Sequence, residues 1–419
     1  MIYVALPAMD EPDLPARLLD LNRQSLLPRT VCVCINQPRS YHVDGIPAHL
    51  RVCRANQKAY EQIRAWEAEG RFAFGLELID RFSLPDAWDE KHFGVGWARK
   101  TAMDSMARAA RNPESDILVC MDADTSYPAD YLQDIQKQFD AYPTAAGLSN
   151  PYLHVDADTL PEEHQRAILH YETYMRAYAL NMILCDHPYA FTAVGSSMAC
   201  RVKAYLKIGG ISPFKSGEDF YFLQKLAKTG SLIVHSPSVS HPSARLSDRV
   251  FFGTGPALQK GLGNRWESYP VYPPALFERM QRAYDALPGL FQRGLPSADL
   301  DFWQTAFGPG WWASIRRNSG GRQEQFVHAC KEKFDALRSL QFLKAHYRQD
   351  DVSDWKNLSL LYRKLSESGL ADPKMEALCR NDAVRSLCDL CLQDWKDIRR
   401  YLFSCERHLR QERPLLPAW

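Results

Sequence analysis

Two aspartates separated by one residue follow a short apolar run in the first third of the chain. The run reads Ile117-Leu-Val-Cys-Met121, and Asp122-Ala-Asp124 comes directly after it. Such a run is typical of a buried strand, and ligands of open α/β sheets bind beside the carboxyl ends of the strands. Adjacent carboxylates repel each other unless a cation neutralises them, and they suit Mg²⁺ or Mn²⁺. A polar turn in which Asp122 caps the following helix would explain the same two aspartates.

A second acidic pair, Glu218-Asp219, follows Gly217 and opens a predicted helix over residues 220–228. A carboxylate at a helix N-terminus is held rigidly, and the helix dipole favours its ionised form. One such carboxylate could act as a general base, which takes the proton from an attacking hydroxyl. Ordinary N-terminal capping of the helix accounts for the same two residues without any chemistry.

A glycine-rich segment, Gly94-Val-Gly-Trp-Ala-Arg99, opens another predicted helix that runs to about Arg111. Glycines let the backbone approach a phosphate closely, and a helix N-terminus favours an anion. The segment therefore predicts a phosphate site in which Arg99 takes part. A surface arginine remains the alternative for Arg99.

The elements that position these residues alternate between strands and helices. Apolar runs at 2–6 and 30–35 predict strands, and leucines at helical spacing over 14–25 predict the helix that joins them. This strand–helix–strand order is typical of a parallel sheet. Further strands are predicted at 76–79, 145–155 and 232–235, and further helices at 55–69, 128–140, 161–184 and 202–208. From about Pro270 the pattern is almost entirely helical, so we expect an α/β domain over 1–265 and an α-helical domain over 266–419.

Composition predicts an ordinary soluble protein. The chain has 419 residues, a net charge of +1 and a charged fraction of 24%, which give no reason to expect a nucleic-acid partner. No apolar run is long enough to span a bilayer, and the N-terminus does not read as a signal peptide. The eleven cysteines are scattered, which predicts reduced thiols in a cytoplasmic protein. Cys388-Asp-Leu-Cys391 could suggest zinc, but buried thiols in a continuous helix are the favoured interpretation.

The order of these motifs resembles that of the family-2 glycosyltransferases, which have the GT-A fold, from Met1 to about Gly263. The fold class implied is α/β, Rossmann-like, with a mostly parallel central sheet, followed here by the α-helical C-terminal domain. The sequence departs from the family pattern at Asp10, where Asn is common, and in a longer insertion before Gly94. The motifs that carry the resemblance are Leu6-Pro-Ala-Met-Asp-Glu11, Gly94-Val-Gly-Trp-Ala-Arg99, Asp122-Ala-Asp124, Val194-Gly-Ser-Ser-Met, Gly209-Gly210 and Gly217-Glu-Asp219.

The resemblance implies a metal-dependent, inverting hexosyltransferase that uses a nucleotide-diphosphate sugar, most often a UDP-sugar. Asp219 would be the general base and Glu218 would bind hydroxyls of the donor or acceptor. Mn²⁺ or Mg²⁺ would be held by Asp122 and Asp124, with His241 as the third ligand in preference to His235. The donor would be bound by Pro7, Asp10, Glu11, Asn36, Gly94, Arg99, Asp122, Arg245 and Arg249. For Glu11, helix capping is an equal alternative.

The acceptor implied is a growing glycan or a lipid-linked saccharide in polysaccharide biosynthesis. An enzyme of this kind without a membrane segment would be cytoplasmic and could touch the inner face of the membrane peripherally. Two other functions stay open at this point. A sugar-1-phosphate nucleotidyltransferase would need a glycine-rich, lysine-containing loop after the first strand, which the sequence lacks. A catalytically silent scaffold would have no physical reason to retain three carboxylates in a cleft.

Overall fold

The computed structural model describes residues 1–154, 160–246, 253–263, 265–347 and 353–417. The chain forms two compact units. The sheet unit contains Met1–Thr159, Phe191–Gly263 and Arg413–Ala418, and the helical unit contains Leu160–Ala190 and Asn264–Glu412. The domain boundary near residue 265 stays a prediction, but the compact units do not follow the chain order. Leu160–Ala190 joins the later helices, and the last residues join the sheet unit.

Eight strands form one mixed sheet in the order β10-β8-β6-β7-β4-β1-β2-β3, and β5 and β9 form a separate pair. The described strands are β1 (Ile2–Ala8), β2 (Thr30–Asn36), β3 (Gly75–Arg81), β4 (Ile117–Cys120), β5 (Thr125–Ser126), β6 (Gly147–Ser149), β7 (Met198–Arg201), β8 (Leu232–Ile233), β9 (His241–Pro242) and β10 (Leu415–Leu416). The predicted strand at 145–155 is therefore much shorter than expected.

One half of the sheet, β4-β1-β2-β3, is parallel. Strand β1 pairs in parallel with β2 and β4, and β2 pairs in parallel with β3. Strand β7 lies antiparallel between β4 and β6, whereas β6 and β8 are parallel. Strands β1 and β4 are buried along their whole length, as nearly continuous apolar runs covered on both faces should be. The predicted fold class, a mostly parallel sheet followed by a helical C-terminal region, is confirmed.

The helices begin close to where the sequence patterns place them. The largest difference is α2, which starts eight residues before the predicted 55–69 because Pro47 fits the first helical turn. The described helices are α1 (Leu14–Asp20), α2 (Pro47–Ala68), α3 (Val95–Ala109), α4 (Tyr131–Ala141), α5 (Glu162–Leu184), α6 (Val202–Lys207), α7 (Glu218–Ala227), α8 (Thr254–Leu262), α9 (Pro274–Asp285), α10 (Leu287–Arg293), α11 (Asp301–Phe307), α12 (Ala313–Asn318), α13 (Gln323–Lys333), α14 (Ala336–His346), α15 (Asp354–Glu367), α16 (Pro373–Cys379) and α17 (Leu392–Glu412).

Close packing at one glycine fixes the start of α3 in the sheet unit. A Cβ atom on Gly96 would lie 1.9 Å from the carbonyl oxygen of Phe214, which no real contact allows. The preceding Gly94 has φ = 106°, a backbone conformation that side chains rarely adopt. The two glycines of the motif therefore have structural reasons to be glycine, whether or not a phosphate approaches them.

Inside the helical unit, α5 packs against α17 through buried charges. Arg176 lies 2.8 Å from Glu406, and Arg410 lies 2.9 Å from the same carboxylate. The prediction that Cys388 and Cys391 are buried in a continuous helix is wrong, because both are exposed and the helix begins only at Leu392. No helix in the described part of the chain is both long enough and apolar enough to cross a membrane.

Candidate active site

The acids predicted from the sequence follow neighbouring strands of the sheet. Asp122 and Asp124 follow β4, and Glu11 follows β1. Because β1 and β4 are paired in parallel, their carboxyl ends lie at the same edge. Tyr127 helps to fix this corner, because its hydroxyl accepts a hydrogen bond from the Asp122 backbone N–H at 2.9 Å and donates to the Ser196 carbonyl at 3.0 Å.

A buried arginine joins two of these acidic segments. Arg99, on α3, is 1% exposed, and its Nη2 lies 2.6 Å from Oδ1 of Asp122. Its Nη1 donates to Oε1 of Glu218 at the start of α7. We call these three residues the Arg99 centre. Arg99 was predicted to approach the donor's nucleotide or diphosphate, with a surface arginine as the alternative. In the structure its guanidinium lies below the surface and faces two carboxylates.

A glycine closes one side of the Arg99 centre. A Cβ atom on Gly195 would lie 2.7 Å from both terminal nitrogens of the Arg99 guanidinium. Gly195 belongs to the Val194-Gly-Ser-Ser-Met motif, to which the sequence assigned no contact. The space that it leaves gives a physical reason for a glycine at this point of the motif.

Asp219 lies next to the Arg99 centre, in the first turn of α7. Its side chain is half-buried, and its Oδ1 accepts a hydrogen bond from the backbone N–H of Phe220 at 2.7 Å. The charge of Asp219 acts on both Arg99 and Asp122. Acids from two distant parts of the sequence therefore meet within electrostatic range.

Burial and neighbouring charges shift the pKa values of the acids in this cluster. The pKa of Glu218 is raised to about 7, chiefly by burial; Arg99 opposes the shift, and the charges of Asp219 and Asp122 add to it. Burial also raises the pKa of Asp122, and the carboxylates of Asp124 and Asp219 act in the same direction. Burial alone would lower the pKa of Arg99, but Asp122 and Glu218 hold it above its usual value.

A second arginine lies at the rim of the site. The guanidinium of Arg245 binds the carboxylate of Glu11 through two nitrogens, one of them 2.9 Å from Oε2. That nitrogen is Nη1; the other, Nη2, donates to Oε1 of Glu11 and also lies 2.9 Å from Oδ2 of Asp124. We call these three residues the Arg245 clasp. The Glu11 carboxylate therefore binds an arginine, and helix capping by Glu11 stays an alternative prediction. The predicted donor residue Arg249 lies outside the described residues.

Other predicted donor residues tie the strand ends together. The side chain of Asn36 is buried, donates to the Ala8 carbonyl at 3.0 Å and accepts from the Gly94 backbone N–H at 2.9 Å. Asp10 has φ = 56°, and its backbone N–H donates to Oδ1 of Asn56 at 2.9 Å. Asn56 went unnoticed in the sequence because a single asparagine in a polar helix carries no signal. Pro7 is buried within β1.

His241 begins β9, where it is paired with Ser126 of β5, just beyond Asp124. Its Nδ1 lies 3.0 Å from the Leu153 carbonyl oxygen. In the ranges that the structure describes, no group of three or more His, Cys, Asp or Glu side chains is arranged to hold a metal ion. The role of His241 as a third ligand stays a prediction, while the two aspartates retain the oxygen chemistry that Mg²⁺ and Mn²⁺ prefer.

The comparison with known families falls on the part of the chain that carries most of these acids. Residues 117–260 match the model of Glycosyl transferase family group 2. This segment is similar to the family-2 glycosyltransferases. It contains Asp122, Asp124, Glu218, Asp219 and Arg245, and the predicted enzyme class, a glycosyltransferase, is confirmed.

Solved structures of S. aureus TarS are also similar to the chain. One, of TarS 1-349 in complex with UDP-GlcNAc, shares 12% identity with a TM-score of 0.37, and the match covers 98% of this chain and 92% of that one. Another, of TarS, shares 13% identity with a TM-score of 0.36, and the match covers 78% of this chain and 55% of that one. No curated protein matches the sequence.

Proposed function

We propose that the protein transfers a sugar, with inversion, from a nucleotide-diphosphate sugar to a hydroxyl of a glycan or glycolipid. The donor class follows from the family resemblance, with a UDP-sugar as the first choice. The observation that carries the proposal is the meeting of Asp122 and Asp219 around Arg99 at the carboxyl end of β4. An α/β sheet binds its ligands at this edge.

The donor side of the proposal rests on an excess of negative charge. Five carboxylates, those of Glu11, Asp122, Asp124, Glu218 and Asp219, lie around two arginines. Like-charge repulsion in such a cluster favours a divalent cation with oxygen ligands. Asp124, with Asp122, would hold Mn²⁺ or Mg²⁺, which would neutralise the charge of the departing diphosphate.

Arg245 is the proposed partner of the donor diphosphate. Its guanidinium already lies on Asp124, and arginine binds phosphate through two parallel hydrogen bonds. The side chain is 33% exposed, so it can exchange one anion for another without unfolding its surroundings. Arg99, in contrast, is buried between two carboxylates and would act by holding Asp122 and Glu218 in place.

The acceptor side of the proposal assigns the general base to Asp219. Its half-buried carboxylate is open to a substrate, whereas Glu218 is 4% exposed and bound to Arg99. Asp219 would take the proton of the acceptor hydroxyl while that oxygen attacks the anomeric carbon from the face opposite the diphosphate. A single base without a nucleophilic carboxylate gives inversion. Glu218 would orient Asp219 through the Arg99 centre instead of binding sugar hydroxyls.

The test compares two substitutions in the full-length protein. We expect Asp219→Asn to leave the affinity for UDP with Mn²⁺ nearly unchanged and to reduce transfer by about 10²-fold or more, because the base is lost. Asp124→Ala should weaken nucleotide binding when Mn²⁺ is present. Calorimetric titration with UDP and release of UDP from a panel of UDP-sugars measure the two effects.

Asp140→Asn is the matched control, because this exposed aspartate on α4 lies outside the site. Full transfer activity in Asp219→Asn would remove the proposed base. Release of pyrophosphate from a nucleoside triphosphate would support a nucleotidyltransferase instead. A protein that binds no nucleotide at all would be a scaffold.

The proposed acceptors imply that the active enzyme works in the cytoplasm, at the inner face of the membrane when the acceptor is lipid-linked.

A further inference from the structure

The loop between β3 and α3 forms a pocket that no step of the proposed reaction uses. Its volume is about 540 Å³, within the range typical of small-molecule sites. The lining includes Trp88 from the loop, Trp97 from α3 and Arg39 from the segment after β2. None of the residues that line it is among those assigned to the donor or to the base.

One wall of the pocket is fixed by hydrogen bonds that extend β2. Pro38 and Trp88 form a parallel bridge, and the backbone N–H of Arg39 donates to the Trp88 carbonyl at 2.6 Å. The Arg39 guanidinium donates to the Pro85 carbonyl at 3.0 Å. These bonds hold the loop in place, so the pocket is formed before any ligand arrives.

The opposite wall is fixed by a turn and a ring contact. The backbone N–H of His92 lies 2.8 Å from Oδ1 of Asp89, and the His92 ring is bonded to the same carboxylate. The His92 ring also meets the Trp97 indole edge to face, with 4.8 Å between ring centres. Trp97 is thereby held on the pocket side of α3.

The chemistry of the lining fits a neutral, polyhydroxylated ligand. Trp88 and Trp97 are half-buried, so each indole offers an apolar face on which the C–H groups of a sugar ring can stack. The exposed carboxylates of Asp86 and Asp89 can accept hydrogen bonds from hydroxyl groups. A single arginine beside two aspartates gives no excess of positive charge for a phosphate.

We propose that this pocket binds a neutral saccharide and serves as a second carbohydrate subsite for the acceptor glycan. Its assignment to the acceptor rests on the proposed function. In the sheet, β3 lies three positions from β4, and strands are spaced by about 4.8 Å, so β3, from which the pocket loop leaves, is roughly 14 Å from the strand that precedes Asp122. A longer acceptor chain would gain affinity by occupying both places at once.

The experiment measures saccharide binding to the full-length protein by saturation-transfer NMR. Cellobiose, maltose, lactose and N,N′-diacetylchitobiose are titrated separately, and UMP is titrated as the nucleobase probe. We expect at least one disaccharide to bind with a Kd of about 1 mM, and Trp88→Ala to weaken it by about tenfold through the loss of stacking. Trp66→Ala is the matched control, because this half-buried tryptophan on α2 lies outside the pocket and stacks on Arg71.

The proposal is overturned if none of the four disaccharides binds at about 20 mM, or if Trp88→Ala binds them as well as the wild type. Loss of UMP binding in Trp88→Ala would show a nucleobase site and would also overturn it. If Trp88→Ala unfolds early in a thermal melt, Trp97→Ala replaces it with the same expectation. UDP binding with Mn²⁺ should be unchanged in Trp88→Ala. Saccharide binding without any UDP binding would reject the proposed function and still support a saccharide site in the pocket.

Discussion

The two arginines of the site make the same kind of contact in opposite surroundings. The Arg99 side chain is 1% exposed and joins Asp122 to Glu218, whereas the Arg245 side chain is 33% exposed and joins Glu11 to Asp124. A buried ion pair cannot lose one partner without leaving an uncompensated charge, but an exposed pair can. The comparison indicates that the Arg99 centre fixes the positions of Asp122 and Glu218. In the Arg245 clasp, Arg245 can exchange a carboxylate for another anion.

Loss of Arg99 should have the largest effect on stability. Arg99→Ala would leave the carboxylates of Asp122 and Glu218 without their cation, and we expect a loss of about 3–5 kcal/mol in the free energy of unfolding. Arg245→Ala is the matched control and should lose no more than about 1 kcal/mol. Urea unfolding followed by circular dichroism measures both.

Equal losses in these two variants would contradict the comparison. If Arg99→Ala does not fold, Arg99→Lys keeps the charge but lacks the planar fork that bonds both carboxylates. Arg99→Lys should still be less stable than Arg245→Lys, and thermal melts of the two variants would show this as a lower melting temperature for Arg99→Lys.

A methyl group at Gly195 should disturb the Arg99 centre without removing any charge. Its Cβ would meet the guanidinium nitrogens at 2.7 Å, so the arginine must shift, at a cost of about 1–3 kcal/mol. Ser196→Ala, at the buried neighbouring position, is the control. In a double-mutant cycle, the cost of Gly195→Ala should disappear in the Arg99→Ala background. A cost that persists there would assign it to another neighbour.

The stability of the Arg99 centre should depend on pH through Glu218. Its pKa is about 7 in the folded protein against 4.5 for an ordinary glutamate, so the folded state binds this proton more tightly than the unfolded chain does. The contribution of Glu218 to stability should therefore fall as pH rises from about 4.5 to 7, by at most about 1.4 kcal/mol per pH unit. The difference in unfolding free energy between the wild type and Glu218→Gln measures it. A difference that stays constant across this range would reject the assignment.

The smallest effect on stability, and the clearest on binding, is expected for the Arg245 clasp. Arg245→Gln should cost less than about 1 kcal/mol, because the pair is partly exposed. It should raise the affinity for Mn²⁺ in the absence of nucleotide, since Asp124 is released, and lower the affinity for UDP in the presence of Mn²⁺. Calorimetry measures both, with Arg17→Gln as control, because Arg17 forms an exposed pair with Asp20 on α1, outside the site. Two affinities that change in the same direction would show that Arg245 does not exchange partners.

Local patterns were sufficient to predict the central elements. The apolar runs of β1, β2 and β4 and the glycine before α3 have clear sequence signals, and the ends of parallel strands must share one edge. The convergence of Asp219 with Asp122 was expected instead from the family resemblance, and the structure brings these two residues within electrostatic range. Contacts between residues far apart in sequence were not predictable in the same way.

Three examples show what local patterns leave out. A glutamate in a first helical turn is usually solvated, so the sequence did not predict that Glu218 is buried against Arg99. The contact of Gly195 with Arg99 depends on how two distant segments pack. Cys388 was predicted to be buried because it lies among leucines, but it belongs to a short 3₁₀ turn at Leu387–Asp389 that precedes the helix, and its thiol is exposed.

The pairing of β10 with β8 has a practical consequence. Leu415 and Leu416 form the edge strand of the sheet, although the other strands of this sheet all precede the long helical segment 264–412 in the sequence. A fragment cut after residue 265 would lack this cover and would offer the backbone of β8 to any other chain. Such a fragment should aggregate when it is expressed alone. Linking residues 413–418 back onto it should restore the cover of β8 and reduce the aggregation.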